Sequence, residues 1–223
     1  MTHAAAQVQA LTPTADTAAD ADARTAEADA LAALIGSRIC HDLVNPVGAI
    51  ANGVELLQMG GADPGGPELQ LVADSVAQTA ARLKFFRIAY GVASPAQVLG
   101  RTETELILND ACSGGRLRVI WSVATDCPRA ETKLAFLLIQ CAEAAMPRGG
   151  EIEVWMTDGR WRIEARSPRL ATDPALWALL DGGPLPEALK PGEVQFALAP
   201  RAAAALGRRI EAAPGAEVLR IQF

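Results

Sequence analysis

At 223 residues the chain is long enough for one large domain or two small ones with hydrophobic cores. Its hydrophobic content of 50% favours a globular fold, and its formal charge of -6 argues against a nucleic-acid-binding protein. The apolar runs are too short to span a membrane, and the N-terminus lacks the pattern of a signal peptide. Because the four cysteines form no CxxC pair, we expect reduced thiols, no zinc site and a cytoplasmic location.

The first part of the chain predicts a tail followed by a helical hairpin. Residues 1–24 are rich in Ala, Thr and Asp, which predicts a disordered tail. From Thr25 to Met59 apolar residues recur at steps of three and four, the pattern of a long amphipathic helix. The glycines and prolines of residues 60–67 predict a loop. A second helix then carries an apolar stripe made of Leu69, Val72, Val76, Ala80, Leu83, Phe86 and Tyr90.

Two amphipathic helices joined by a short loop form an antiparallel hairpin, which we place at residues 25–94. One hairpin cannot cover both apolar stripes. We therefore expect two copies of the chain to pair as a symmetric homodimer with a four-helix bundle.

Residues 95–223 predict an α/β sandwich, with helices packed on one sheet. The sequence Asp158-Gly159 lies between two alternating runs and is the strongest local signal for a β-hairpin. The other predicted elements are strands at Glu105–Leu108, Leu117–Val123 and Val218–Phe223, and helices at Glu131–Met146, 174–181 and 196–206.

His41 is the only histidine outside the predicted tail. It lies two residues after Ile39 of the apolar stripe, so it faces away from the core of the hairpin. Asp42 can accept a hydrogen bond from one ring nitrogen, which leaves the other nitrogen as a nucleophile. Asn45 lies one turn further on, and Pro46 removes a backbone hydrogen bond and predicts a kink. The alternative interpretation is an ordinary exposed histidine with an incidental aspartate beside it.

The run from His41 to Pro46, His-Asp-Leu-Val-Asn-Pro, resembles the H-box of two-component histidine kinases. The stretch from Ala28 to Phe223 resembles the ChpT-type histidine phosphotransferases of alphaproteobacteria more closely. This resemblance implies a dimerisation and phosphotransfer hairpin, followed by a domain shaped like a kinase ATPase domain that has lost ATP binding. It implies His41, Asp42 and Asn45 as the catalytic residues.

The second half departs from the nucleotide-binding pattern of such ATPase domains. Gln140 occupies the position of the asparagine that would hold magnesium. Residues 165–170 lack the aspartate and glycines of the adenine-binding turn, and Gly182-Gly183 is followed by a proline that cannot donate a backbone N–H to phosphate. We therefore expect no cofactor: ATP does not bind, and the partner supplies the magnesium ion.

Five arginines are candidate docking residues for a partner. Arg38 lies one turn before His41, and Arg160, Arg162, Arg166 and Arg169 follow one another in and after a predicted strand. The strand arginines alternate with core residues, so they share one face. A basic face could steer an acidic receiver domain. The alternative is a solvated strand face without a partner.

The resemblance implies a phosphorelay protein. His41 would take a phosphoryl group from the receiver domain of a hybrid histidine kinase and pass it to the receiver domains of response regulators. Two other functions remain open at this point. An active sensor histidine kinase would have to bind ATP, and a non-catalytic dimer that binds receivers would not need His41.

Overall fold

The computed structural model describes residues 15–60, 66–94, 96–186 and 188–223. Two long helices come first and a mixed helix-and-sheet domain follows. The helices are α1 (Ala15–Gly60), α2 (Pro67–Ala89), α3 (Arg101–Cys112), α4 (Arg129–Ala144), α5 (Pro174–Leu180) and α6 (Val194–Ala205), with a 3-10 turn at Pro191–Glu193. The strands are β1 (Val98–Leu99), β2 (Leu117–Trp121), β3 (Cys127–Pro128), β4 (Gly150–Thr157), β5 (Arg160–Arg166), β6 (Glu211–Pro214) and β7 (Val218–Gln222).

The second half of α1 packs against α2, which confirms the predicted helical hairpin. They approach closely at Gly53, where a Cβ atom would lie 2.5 Å from Cγ2 of Val72. Helix α1 begins at Ala15, ten residues before the predicted start, so residues 15–24 are helical. Alanine is the strongest helix former, and the acidic residues favour the positive N-terminal end of the helix. The rest of the predicted tail and most of the predicted loop lie outside the described residues.

The main sheet has five strands in the order β2-β4-β5-β7-β6. Strand β2 runs parallel to β4, and the other neighbouring pairs are antiparallel. The predicted hairpin joins β4 to β5, with φ angles of 52° at Asp158 and 71° at Gly159. Positive φ at both central residues is the type I′ geometry that suits a two-residue hairpin.

One face of the sheet packs on α4, and α6 packs on α4 in the same core, which confirms the predicted helix-on-sheet sandwich. Helix α4 is buried from Leu134 to Ala142, so it is the central element of the core. Trp161 of β5 is fully buried, and its ring stacks on Phe223 with ring centres 5.5 Å apart. The four cysteines of the chain are free thiols.

The predicted strand at Glu105–Leu108 is wrong, because these residues belong to helix α3. Thr104, Ile107 and Leu108 are buried at helical spacing. The helix starts at Arg101, whose backbone N–H donates a hydrogen bond of 2.8 Å to Oδ1 of Asp126. This cap comes from 25 residues further along the chain, so local sequence does not contain the start signal. The sequence also gave no indication of the short strands β1, β3 and β6.

The hairpin rests on the helical side of the second domain. Leu31 of α1 packs against Val194 and Ala197 of α6 in a small apolar cluster. Glu27 of α1 forms an ion pair with Arg201 of α6. These contacts fix the part of α1 that precedes His41. Within the described ranges, no helix combines the length and the apolarity needed to cross a lipid bilayer.

Candidate functional site

His41 lies in the middle of α1 and points into solvent, as the helical phase predicts. Its side chain is 82% exposed. It borders an open depression of about 540 Å³ between α1 and α2, together with Asn45 and Pro46 of its own helix. On the other side the depression is lined by α2, from Leu71 to Arg82. A partner domain therefore has direct access to the imidazole ring.

Asp42 holds one nitrogen of that ring. Nδ1 of His41 lies 3.1 Å from Oδ1 of Asp42. An ionised carboxylate only accepts hydrogen bonds, so Nδ1 carries the proton in this contact. Nε2 then keeps its lone pair, and no side chain in the described part of the chain hydrogen-bonds to it. This arrangement presents a nucleophilic nitrogen to the solvent.

Two arginines surround the second oxygen of Asp42. Nε of Arg38 donates a hydrogen bond of 2.8 Å to Oδ2, and Nη1 of Arg82 lies 3.6 Å from the same oxygen. Nη1 of Arg38 also donates to the carbonyl of Gly192 in the second domain, at 3.1 Å. The carboxylate is consequently only 11% exposed, although the histidine beside it is open to solvent.

Two of these groups, Arg82 and Gly192, were not predicted from the sequence. Arg82 was within reach of sequence reasoning, because folding α2 back on α1 about the intervening loop brings it near Asp42. Gly192 was not, because its contact with Arg38 depends on how the second domain docks on the hairpin.

The predicted docking arginines do not lie together. Arg38 is part of the site around His41. Arg160, Arg162 and Arg166 are exposed on β5, on the sheet face opposite the buried Trp161 and therefore away from the helices and the hairpin. Arg166 forms an ion pair with Glu164 on the same face. The predicted docking role of the β5 arginines, and that of Arg169 in the following loop, stays a prediction.

Two positions that the family resemblance assigns to nucleotide binding in ATPase domains make internal contacts here. Gln140 of α4 is 2% exposed, and its Oε1 accepts a hydrogen bond of 2.7 Å from the hydroxyl of Tyr90. The hydroxyl of Ser167 donates to the backbone carbonyls of Gly149 and Arg169, which share its proton. Among the described residues, no group of three or more His, Cys, Asp or Glu is arranged to hold a metal ion.

Comparison with known proteins identifies the family. Residues 101–218 match the model of the histidine phosphotransferase C-terminal domain. Protein phosphotransferase ChpT of Brucella abortus (strain 2308) is 34% identical over 171 residues, which cover 74% of this chain and 81% of the relative. The chain belongs to the ChpT-type histidine phosphotransferases.

A solved structure supports the same family. A bacterial phosphotransferase superposes with a TM-score of 0.73 and 29% identity, covering 86% of this chain and 94% of that one. The resemblance predicted from the H-box and from the degenerate second half is therefore confirmed. As a ChpT-type histidine phosphotransferase, the chain is a phosphorelay enzyme, which confirms the predicted enzyme class.

Proposed function

We propose that His41 carries a phosphoryl group between the receiver domain of a hybrid histidine kinase and the receiver domains of response regulators. The observation that carries this proposal is the exposed Nε2 of a histidine whose Nδ1 faces a carboxylate. A neutral imidazole nitrogen that is open to solvent can reach an aspartyl phosphate on another protein. The family supplies the reaction class, and the geometry supports this residue as the carrier.

In the proposed step, Nε2 of His41 attacks the phosphorus of the aspartyl phosphate in line with the scissile P–O bond. A P–N bond forms as the P–O bond breaks, and the receiver aspartate leaves as a carboxylate with the electron pair. The proton on Nδ1 stays in its hydrogen bond with Asp42. Asn45, exposed one turn away, is placed to hydrogen-bond the incoming phosphoryl oxygens. The same step in reverse delivers the group to a second receiver.

We further propose that the chain needs neither ATP nor a metal ion of its own, and that the receiver's magnesium ion neutralises the phosphoryl oxygens. The internal contacts of Gln140 and Ser167 support the proposal that the chain does not need ATP. The amide of Gln140 is buried against Tyr90, and Ser167 is bound to the backbone around it. A nucleotide would have to displace both sets of hydrogen bonds.

A homodimer is the assembly that the hairpin surface supports. Val47 and Val54 on α1 are 51% and 39% exposed, and seven residues separate them. On α2, Leu69, Val76 and Leu83 follow the same spacing and are 41–49% exposed. Apolar residues at intervals of seven form a seam that a second copy of the helices can cover. Two hairpins would then form the four-helix bundle, with one His41 in each.

The test of the function is transfer of radioactive phosphate from a phosphorylated receiver domain to the full-length chain. We expect label that is stable in base and labile in acid, as for a phosphohistidine, and no label on His41→Gln. The same chain incubated with labelled ATP and magnesium should remain unlabelled.

Each rival function predicts a different outcome. Labelling from ATP would identify an active kinase. A chain that binds the phosphorylated receiver but takes no label would be a binding platform, and normal labelling of His41→Gln would place the carrier elsewhere.

A further inference from the structure

Arg38 connects the second domain to the phosphotransfer histidine. Its Nη1 donates to the carbonyl of Gly192, and its Nε donates to Oδ2 of Asp42. Asp42 in turn holds Nδ1 of His41 through its other oxygen. We propose that Arg38 is a positioning residue: held by the Gly192 carbonyl, it fixes the Asp42 carboxylate against His41 and thereby keeps Nε2 unprotonated.

The carboxylate needs such a restraint because nothing in an isolated helix fixes its direction. An aspartate and the histidine that follows or precedes it point to different sides of a helix, so their contact depends on one aspartate rotamer. The bond of 2.8 Å from Arg38 to Oδ2 selects the rotamer that turns Oδ1 towards His41. Such a charge-assisted hydrogen bond is stronger than a neutral one. Arg82 is further from the same oxygen, at 3.6 Å, and is more exposed.

Arg38 needs a restraint of its own, and the second domain supplies it. An arginine side chain has many rotamers, and holding it in one of them costs conformational entropy. The Gly192 carbonyl belongs to the 3-10 turn Pro191–Glu193, where Oε2 of Glu193 accepts a hydrogen bond of 3.0 Å from the Lys190 N–H. Gln195, which is 1% exposed, donates to the same carbonyl at 2.8 Å. The carbonyl is thus held in place, and it fixes the far end of the guanidinium group.

The inference rests on the proposed function for its chemical consequence but not for its geometry. Phosphorylation of Nε2 leaves a proton on Nδ1, and the positive ring is stabilised by a carboxylate that stays beside it. If Arg38 is lost, Asp42 can turn away. The ring then exchanges between its two tautomers, and one of them has its proton on the attacking nitrogen.

Two other roles of Arg38 make different predictions. A receiver-docking residue, as the sequence suggests, would change the KM for the receiver and leave the ring unchanged in the free chain. A residue that only attaches the hairpin to the second domain would change the free energy of unfolding and leave both the tautomer and the transfer rate unchanged.

The experiment is nitrogen-15 NMR of the histidine rings in the full chain without any partner, with the His41 signals assigned by their absence in His41→Gln. We expect the Nδ1-protonated tautomer in the wild type and a mixture of both tautomers in Arg38→Ala. Arg101→Ala is the matched control. It removes the Arg101–Glu105 pair on α3, which has the same spacing in the helix and a similar length (2.7 Å), and it should leave the His41 signals unchanged.

Two further variants extend the test. Arg38→Lys retains the charge but has a single ammonium group for two acceptors, so it should give an intermediate tautomer ratio even where Arg38→Ala folds poorly. Glu193→Ala loosens the turn that carries the Gly192 carbonyl and should shift the ratio in the same direction. Unchanged tautomers in the variants of Arg38 would overturn the inference, and an unchanged ratio in Glu193→Ala would exclude the part played by the second domain.

Kinetics separate this inference from the proposed function. At saturating phosphorylated receiver, the rate of His41 labelling should fall about tenfold in Arg38→Ala, the order expected for one charge-assisted hydrogen bond, with little change in KM. A wild-type chain that takes no label would contradict the proposed function and leave the tautomer result intact. Normal labelling together with an unchanged tautomer in Arg38→Ala would contradict the inference alone.

Discussion

Tyr90 is the residue at which the end of α2 meets the centre of α4. Its hydroxyl donates to Gln140, and its ring stacks on Phe86 with ring centres 5.5 Å apart. Burial raises the pKa of Tyr90 to about 12 from its ordinary value of 10.0, and the Arg38 charge offsets part of that effect. The chain contains one tyrosine, so the change in absorbance on tyrosine ionisation comes from this group alone.

We predict that the near-ultraviolet absorbance of tyrosinate appears in the native chain only near pH 12, and in the chemically unfolded chain near pH 10. Because the unfolded chain loses this proton first, the free energy of unfolding should fall as the pH rises from about 10 to about 12. Tyr90→Phe should lack that part of the pH dependence. A native titration at the ordinary value would show that Tyr90 is not buried at the end of α2.

The sequence could name His41, Asp42 and Asn45 because they share one short stretch of a single helix. Their relative positions follow from helical geometry alone. Arg38 was named for the same reason, but its contact with the second domain was not predicted. The contact with Gly192 spans 154 residues, so nothing short of the folded structure reveals it.

At the level of elements, two glycines have open space around them but differ in backbone conformation, one being helical and the other left-handed. Gly36 lies within helix α1, and Gly159 has a φ of 71° in the turn between β4 and β5. Among the described residues, and apart from the adjoining backbone, no atom lies within 4 Å of a Cβ built at either position. The effect of a Gly→Ala change on the free energy of unfolding therefore depends on the backbone conformation alone.

We predict that Gly36→Ala raises the free energy of unfolding by about 0.5–1 kcal/mol, because alanine is the better helix former. Gly159→Ala should lower it by about 1 kcal/mol, because a side chain disfavours the left-handed conformation. Urea denaturation of both variants checks the two signs. A stabilising Gly159→Ala would contradict the type I′ turn.

The elements that sequence predicted well have strong local signals. The long helices follow from their periodicity, and the β4–β5 hairpin follows from Asp158-Gly159. Helix α3 was mistaken for a strand because a short apolar run fits either period, and the cap that settles the choice is the distant Asp126. The short strands β1 and β3 pair only with each other, so they lack a pattern of their own.

At the level of the whole molecule, the proposed dimer is the feature with the largest effect on behaviour in solution. We predict that Val76→Asp gives a monomer, because it places a charge in the apolar seam of each copy of the hairpin. Val92→Asp is the matched control: Val92 is 89% exposed and follows the end of α2, so this change should leave a dimer. Sedimentation equilibrium of both variants measures the mass, and a monomeric wild-type chain at all concentrations would contradict the dimer.

Helix α4 completes the end of helix α2. Nη2 of Arg129 donates to the carbonyl of Arg87 at 2.7 Å, and Nζ of Lys133 donates to the carbonyl of Gly91 at 2.9 Å. The last carbonyls of a helix have no partners within it, and here the carbonyl of Arg87 in the last turn of α2 and that of Gly91 just beyond the helix are bound by cations from the other half of the chain. Cutting the chain at residue 94, where the sequence pattern changes, would separate these carbonyls from Arg129 and from the half-buried ammonium group of Lys133. The histidine hairpin is therefore not an interchangeable module: grafted onto another protein, it would need a replacement for α4 at the base of its second helix.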